Sequence, residues 1–111
     1  MALTSTLEIF NDIAAITLAG DLDASTAPQF QKAVEEAAQH KPQKLVLKLE
    51  ALDYMASAGL RVLIFSKQKM GAAVTIYVVN PQDSVWETMK KTGFHQSVVR
   101  LDQFDPEAMA N

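Results

Sequence analysis

One hydroxyl in this chain keeps unusual company. Ser57 stands in the stretch DYMASAGLRVL, between Ala56 and Ala58, with Gly59 next and an apolar run beginning at Leu60. A serine at such a point can cap a helix, its oxygen accepting a free backbone N–H of the first turn. It can also carry a phosphate, which would lie at the positive end of that helix and bring about −1.5 to −2 charges and three acceptor oxygens. Small neighbours would let another protein approach the hydroxyl closely. A third use, as a nucleophile, needs a base and an orienting acid. MASAG matches the G-x-S-x-G elbow only in part, because Met55 replaces the first glycine.

Other chemistry is sparse. His40 and His95 are the two histidines, each beside an expected helix end or cap glycine, which favours structural roles. A chain of 111 residues leaves little room for the rest of a hydrolytic triad. With no cysteine and no histidine pair at ligand spacing, a structural zinc site is not expected. Neither G-x-x-x-x-G-K nor G-x-G-x-x-G occurs, so no nucleotide loop and no cofactor are expected.

The elements that must position Ser57 read as alternating strands and helices. Residues 3–10 and 13–19 form two antiparallel strands around the turn residues Asn11 and Asp12. Gly20 to Ser25 reads as a loop. Phe30, Ala33, Val34, Ala37 and Ala38 then fall at helical spacing, predicting a helix over 27–39 that Pro42 follows. Thr26 and Gln29 are spaced as a capping box, with Pro28 in the first turn. Lys44 to Leu49 is a strand, and Val46 opposite Leu45, Leu47 and Leu49 implies that both faces are covered. A helix is predicted over 58–70 with Gly71 at its C-terminus, then a strand over 73–79. Asn80-Pro81 resembles an N-cap and first helical residue, for a helix over 81–92 closed by Gly93. Residues 97–101 form the last strand, and DPEAMAN is a single helical turn or a frayed tail. Met55, Met70 and Met89, with Trp86 and Phe94, are assigned to the core. The order ββαβαβαβ predicts an α/β fold with a mixed sheet and right-handed crossovers.

Composition narrows the classes. Apolar residues at 49% and charged residues at 21% argue against intrinsic disorder. The length suits a single domain, 1–111, with its core over about 3–102 and a tail over 103–111. A net charge of −3 offers no basic field for nucleic acid or anionic lipid. The N-terminus does not read as a signal peptide, and no apolar run approaches the roughly 20 residues of a membrane helix. A cytoplasmic protein, with no nucleic-acid or membrane partner, is the expectation.

Three blocks carry a family resemblance: LAGDLDASTAPQF, KLVLKLEALDYMASAGLRVL and VVNPQDSVWETMKKTGF. Together they resemble the STAS domain of anti-sigma factor antagonists over about residues 3 to 102. The resemblance implies a non-enzymatic partner switch. An anti-sigma serine kinase with a histidine-kinase-like ATPase fold would bind the unmodified chain and release its sigma factor. It would phosphorylate Ser57 and let go, and a metal-dependent serine phosphatase would reset the switch. Ser57 matches the phosphoacceptor and Asp23 the acidic residue beside it. Ala56 stands where many members have Asp or Ser, removing a recognition charge. Ala58 stands where many have a second hydroxyl, leaving one acceptor. The implied partner surface comprises Asp21, Asp23, Ser25, Asp53, Ala56, Ser57, Ala58, Gly59 and Arg61, its carboxylates forming a negative rim suited to a basic partner. The rival reading is a constitutive scaffold or complex subunit, stressosome-like or in lipid transport, in which Ser57 is only a helix cap.

Overall fold

The structure, a computed structural model, describes residues 2–71 and 73–109. The alternating N-terminal segment forms β1 (Leu3–Phe10) and pairs antiparallel with β2 (Ile13–Leu22) through a two-residue turn with Asn11 at φ 56°. There follow α1 (Ala27–Gln39), β3 (Lys44–Met55), α2 (Ser57–Met70), β4 (Thr75–Val79), α3 (Asp83–Lys91), β5 (Val98–Leu101) and a single turn, α4 (Pro106–Met109). The end of the predicted tail, residues 110 and 111, lies outside the described residues. The sheet order is β1-β2-β3-β4-β5, with β2 to β5 parallel, so the predicted ββαβαβαβ mixed sheet is the one observed.

Because each parallel strand is laid beside its predecessor in the same direction, right-handed crossovers put α1, α2 and α3 on one face. There Phe30 and Val34, Leu60 and Leu63, Val85 and Met89 pack in one cluster with Ile16, Leu45, Leu47, Ile76 and Val78. On the other face Ile13, Ala15, Val46 and Val79 are buried beneath Phe10, Tyr77, Leu101 and Phe104. Both faces are therefore covered around Val46, but by different means. The segment after β5 lays Phe104 edge-on against Phe10, ring centroids 5.7 Å apart, with Lys48 Nζ 5.6 Å from the Phe104 centroid.

Several boundaries differ from the sequence reading, each for a local reason. Gly20 to Leu22 are strand, not loop, and β3 runs six residues beyond Leu49. Its inward residues there are Leu49, Leu52 and Met55, three apart rather than two. Register shifts against β2 between Thr17 and Ala19, and between Gly20 and Asp21, break the alternation that marks a strand. The capping box does not form. The Thr26 hydroxyl donates to the Asp21 carbonyl and accepts from Asp23 N–H, both at 2.9 Å, while Gln29 Nε2 donates to the Leu3 carbonyl at 2.9 Å. Asn80 is not an N-cap: it is left-handed, φ 50°, and its N–H reaches the Leu101 carbonyl at 2.7 Å, so α3 starts later, after Gln82. β4 begins at Thr75, and Ser97 ends a 3-10 turn over Phe94–Ser97 that precedes β5. Trp86 is only partly buried. Ser66, a polar residue in the second half of α2, is fully buried with its hydroxyl donating to the Val62 carbonyl at 2.7 Å.

Gly20 is the residue that lets β2 continue past its irregularity. Its φ is +103°, and a Cβ there would collide with the Ala2 carbonyl oxygen. Gly20→Ala combines an unfavourable backbone conformation with a clash against main chain, and should cost at least about 2 kcal/mol. Urea denaturation of the two proteins checks this, with an unchanged midpoint contradicting it.

Candidate functional site

The site is built where β2 and β3 end together. Leu22 pairs with Met55, and immediately beyond them the Ala56 N–H donates to the Leu22 carbonyl at 2.8 Å. Ala56 stays extended, φ −84° and ψ 168°, and its carbonyl accepts from Gly59 and Leu60 N–H at 3.0 and 3.2 Å. Ala56 is thus the N-cap of α2, and Ser57 is its first helical residue. This corrects the reading of Ser57 as a cap: the extended residue on which a cap is built lies one position earlier, where the side chain is a methyl group. Among the described residues the exposed Ser57 hydroxyl makes no hydrogen bond.

Gly59 explains the smallness of the stretch. A Cβ there would lie 2.5 Å from Leu22 Cγ, 2.7 Å from Leu22 Cδ2 and 3.4 Å from Met55 Cγ. The first turn of α2 is therefore pressed onto a fully buried leucine from the neighbouring strand. Ala58 is small for a different reason. It faces a shallow groove between α1 and α2, lined by Ala24, Ala27, Pro28, Gln31, Arg61 and Phe65 among others.

The loop after Leu22 is held by its own carboxylate. Asp23 Oδ1 accepts from Ser25 N–H at 2.9 Å, the Ser25 hydroxyl at 2.7 Å and Thr26 N–H at 3.1 Å. The Asp23 carbonyl accepts from Thr26 and Ala27 N–H at 3.2 and 2.8 Å. These bonds, the Ser25 hydroxyl first among them, hold the Asp23 carboxyl below its ordinary pKa despite some desolvation. Asp23 thereby fastens the start of α1.

The named residues divide into two groups. Leu22 brings the Asp23–Ser25 loop beside Ala56, Ser57 and Gly59, and the α1–α2 groove joins Ala24 to Ala58 and Arg61. Asp53 turns towards α3: its Oδ1 accepts from Gln82 Nε2 at 3.2 Å and its carbonyl from the Ser84 hydroxyl at 3.3 Å. Asp21 pairs in register with Tyr54, which is 51% exposed and was missed in the sequence. No sequence period marked it, because Leu52 and Met55 face inward at an interval of three and leave Asp53-Tyr54 outside. Neither histidine reaches Ser57. His40 caps the C-terminus of α1, and His95 stands edge-on to Trp86, ring centroids 6.0 Å apart.

The STAS domain family model matches residues 4–107. The chain belongs to that family. It is 31% identical over 78 residues to the anti-sigma-F factor antagonist RsfB of Mycobacterium tuberculosis, a match covering 70% of this chain and 64% of that protein. The match thus spans just under two thirds of the curated relative's length. An anti-sigma factor antagonist from Mycobacterium paratuberculosis superposes with a TM-score of 0.84 at 23% identity, covering 94% of this chain and 89% of that one. Unphosphorylated SpoIIAA, another anti-sigma factor antagonist, superposes with a TM-score of 0.74 at 24% identity, covering 96% and 94%. Phosphorylated SpoIIAA, from Bacillus, gives 0.71 at 19%, covering 96% of each chain. These likenesses are to the STAS fold, which the sheet order and the three long helices reproduce. No helix among the described residues is long and apolar enough to cross a membrane.

The packing at Leu22 and the bonds of Asp23 have measurable consequences. Gly59→Ala forces the buried Leu22 side chain to move and should cost about 1–3 kcal/mol by chemical denaturation. Replacing Gly71, where an added Cβ meets nothing within 4 Å, should disturb no packing. Asp23→Asn should lower the melting temperature at neutral pH, because a carboxylate with a depressed folded-state pKa stabilises above its unfolded value. That difference should shrink as pH falls through the depressed pKa and the carboxylate takes up a proton. A pH-independent difference between the two melting curves would assign the loss to shape instead of charge.

Proposed function

We propose that this chain is an anti-sigma factor antagonist that works as a partner switch at Ser57. Unmodified, it binds an anti-sigma serine kinase of the histidine-kinase-like ATPase fold; phosphorylated on Ser57, it is released; a metal-dependent serine phosphatase resets it in the cytoplasm. The chain itself is no catalyst. The observation that carries this reading is the state of Ser57: exposed on the first turn of α2, free of internal hydrogen bonds, on a segment fastened by the Ala56–Leu22 bond and the packing at Gly59. A hydroxyl that contributes nothing to the fold can be modified without unfolding it. RsfB and SpoIIAA are named as antagonists of anti-sigma factors, and SpoIIAA exists in a phosphorylated form, which supports the same reading here.

The contact surface in this proposal comprises the Ser57 turn with Ala56 and Ala58, seated by the buried Gly59, the Asp21–Ser25 segment, and Arg61 in the groove between α1 and α2. Asp53 contributes to the acidic rim while bracing α3. A phosphate arriving on Ser57 would gain from the free N–H groups of the first turn of α2, so the modified chain remains folded. In the complex the same charge would be desolvated without a partner and would repel acidic neighbours.

The switch is tested by binding of two variants to the isolated kinase, measured by calorimetry. Ser57→Ala should leave stability within about 0.5 kcal/mol, since no cap is lost, and should still bind. Ser57→Asp should fold at least as stably, with an anion at a helix N-terminus, yet bind about 2–5 kcal/mol more weakly, or roughly thirtyfold to several-thousandfold. Equal affinity for the two variants would transfer the function to a constitutive scaffold.

A further inference from the structure

β1 is an edge of the sheet, and its hairpin turn determines which backbone groups face outward. In a two-residue hairpin the closing pair, here Phe10 and Ile13, exchanges both hydrogen bonds, and the pairs at Glu8, Thr6 and Thr4 do the same. Ser5, Leu7 and Ile9 therefore turn N–H and C=O away from β2. Leu3, of the same parity, behaves accordingly, its carbonyl accepting from Gln29 instead of the ladder. Among the described residues no side chain or loop satisfies the outward groups of Ser5, Leu7 and Ile9.

Protected edges are usually short, bulged, kinked by proline or studded with charge. The β5 edge is four residues long. β1 is eight residues long, has no proline and no register shift, and carries the single charge of Glu8. Ile9 is 38% exposed on it. Among the described residues the segment after β5 meets β1 at the hairpin end, where Pro106 and Glu107 lie near Ile9 and Phe10.

The helix above this edge is self-complementary. Ser5 and Leu7 line a groove with Gln29, Lys32, Ala33 and Glu36 on the outer flank of α1. Lys32 and Glu36 are exposed, one turn apart, and neither makes an ion pair among the described residues. A twofold axis through Leu7 would pair Leu7 with its own copy and Ser5 with Ile9 of the second chain, both with outward-facing backbone groups. Leu7 lies level with the Lys32–Glu36 stretch, so the same axis sets Lys32 of each copy against Glu36 of the other. α1 packs over β1 and β2. With strands about 4.8 Å apart, its copy would run antiparallel at about 10 Å, a helix-packing distance.

We propose that the β1 edge and the outer flank of α1 form a homodimer interface, an isologous antiparallel β1–β1 contact roofed by two α1 helices and two Lys32–Glu36 pairs. The twofold axis reverses strand direction, so the two Ser57 turns lie at opposite ends of the shared sheet, both open. The inference stands apart from the switch proposed for Ser57 and holds or fails without it.

Sedimentation of the full chain from about 1 μM to about 1 mM should show its mass rising from monomer to dimer. Ser5→Pro removes an outward N–H while sparing the β1–β2 ladder, and should raise the dissociation constant at least about tenfold. Lys32→Glu should weaken the dimer about tenfold, and adding Glu36→Lys should restore it to within about threefold, with circular dichroism unchanged throughout. A chain that stays monomeric over this range, including one whose edge is filled only by another protein, overturns the proposal. So does a dimer indifferent to Ser5→Pro or not rescued by the charge swap.

Discussion

Leu22 makes two contacts with the turn that leads into α2, and the geometry around Ser57 depends on both. Its carbonyl takes the Ala56 N–H at 2.8 Å, which stops β3 at Met55 and keeps Ala56 extended. Its side chain fills the space where Gly59 has no Cβ, which fixes how closely α2 approaches the end of β2. Neither contact would exist if β2 ended at Ala19. The register shifts that carry β2 through Gly20 to Leu22 are thus part of the site, although they lie one strand away from it. Bulges at a sheet rim commonly re-aim the chain beyond them, and here they deliver Asp23 and Ser57 to the same end of the sheet.

The sequence made the architecture legible because most of it derives from period and order. Residues 27–39 carry a clean apolar stripe, and the helix occupies those residues. Strands alternating with helices leave few alternatives to a parallel set with right-handed crossovers. What failed was the reading of ends. The continuation of β3 places Leu49, Leu52 and Met55 inward at intervals of three, a pattern that no strand period produces and that appears only once β2 has been laid beside it with its irregularities. Asn80-Pro81 has the chemistry of a helix start, but tertiary pairing claimed Asn80 first, through its bond to Leu101.

The same distinction runs through the site. That Ser57 begins a helix was legible from the apolar run behind it, whereas its place inside the helix was not, because Ala56 and Ser57 differ by one position and the choice rests on the Leu22 bond. Thr26 and Gln29 show the opposite error. Their spacing invites a reciprocal cap, yet each side chain finds a partner elsewhere in the chain, at Asp21 and at Leu3, that binds α1 to the sheet. Asp23 looks like a surface carboxylate in the sequence. In the structure the backbone and hydroxyl donors of Ser25 and Thr26 converge on it, so its charge is fixed in place before any partner arrives.

If Ser57 is switched as proposed, its chemistry is supplied from outside. Among the described residues the Ser57 hydroxyl has no hydrogen-bond partner, and the histidines sit elsewhere, His40 at the end of α1 and His95 beside Trp86. What the fold does supply is position. An exposed hydroxyl on a wandering loop would cost a partner the entropy of ordering it, and that cost is met here in folding, by one backbone bond and one close contact at Gly59. Rigidity also sharpens the effect of a charge placed there. A flexible turn could swing a phosphate into solvent and keep its other contacts, whereas α2 beneath Ser57 is pressed onto the core and cannot tilt away from an approaching surface without disturbing Leu22. In the proposed switch, the leucine that makes Ser57 easy to bind is therefore the one that makes its modification hard to tolerate in the complex.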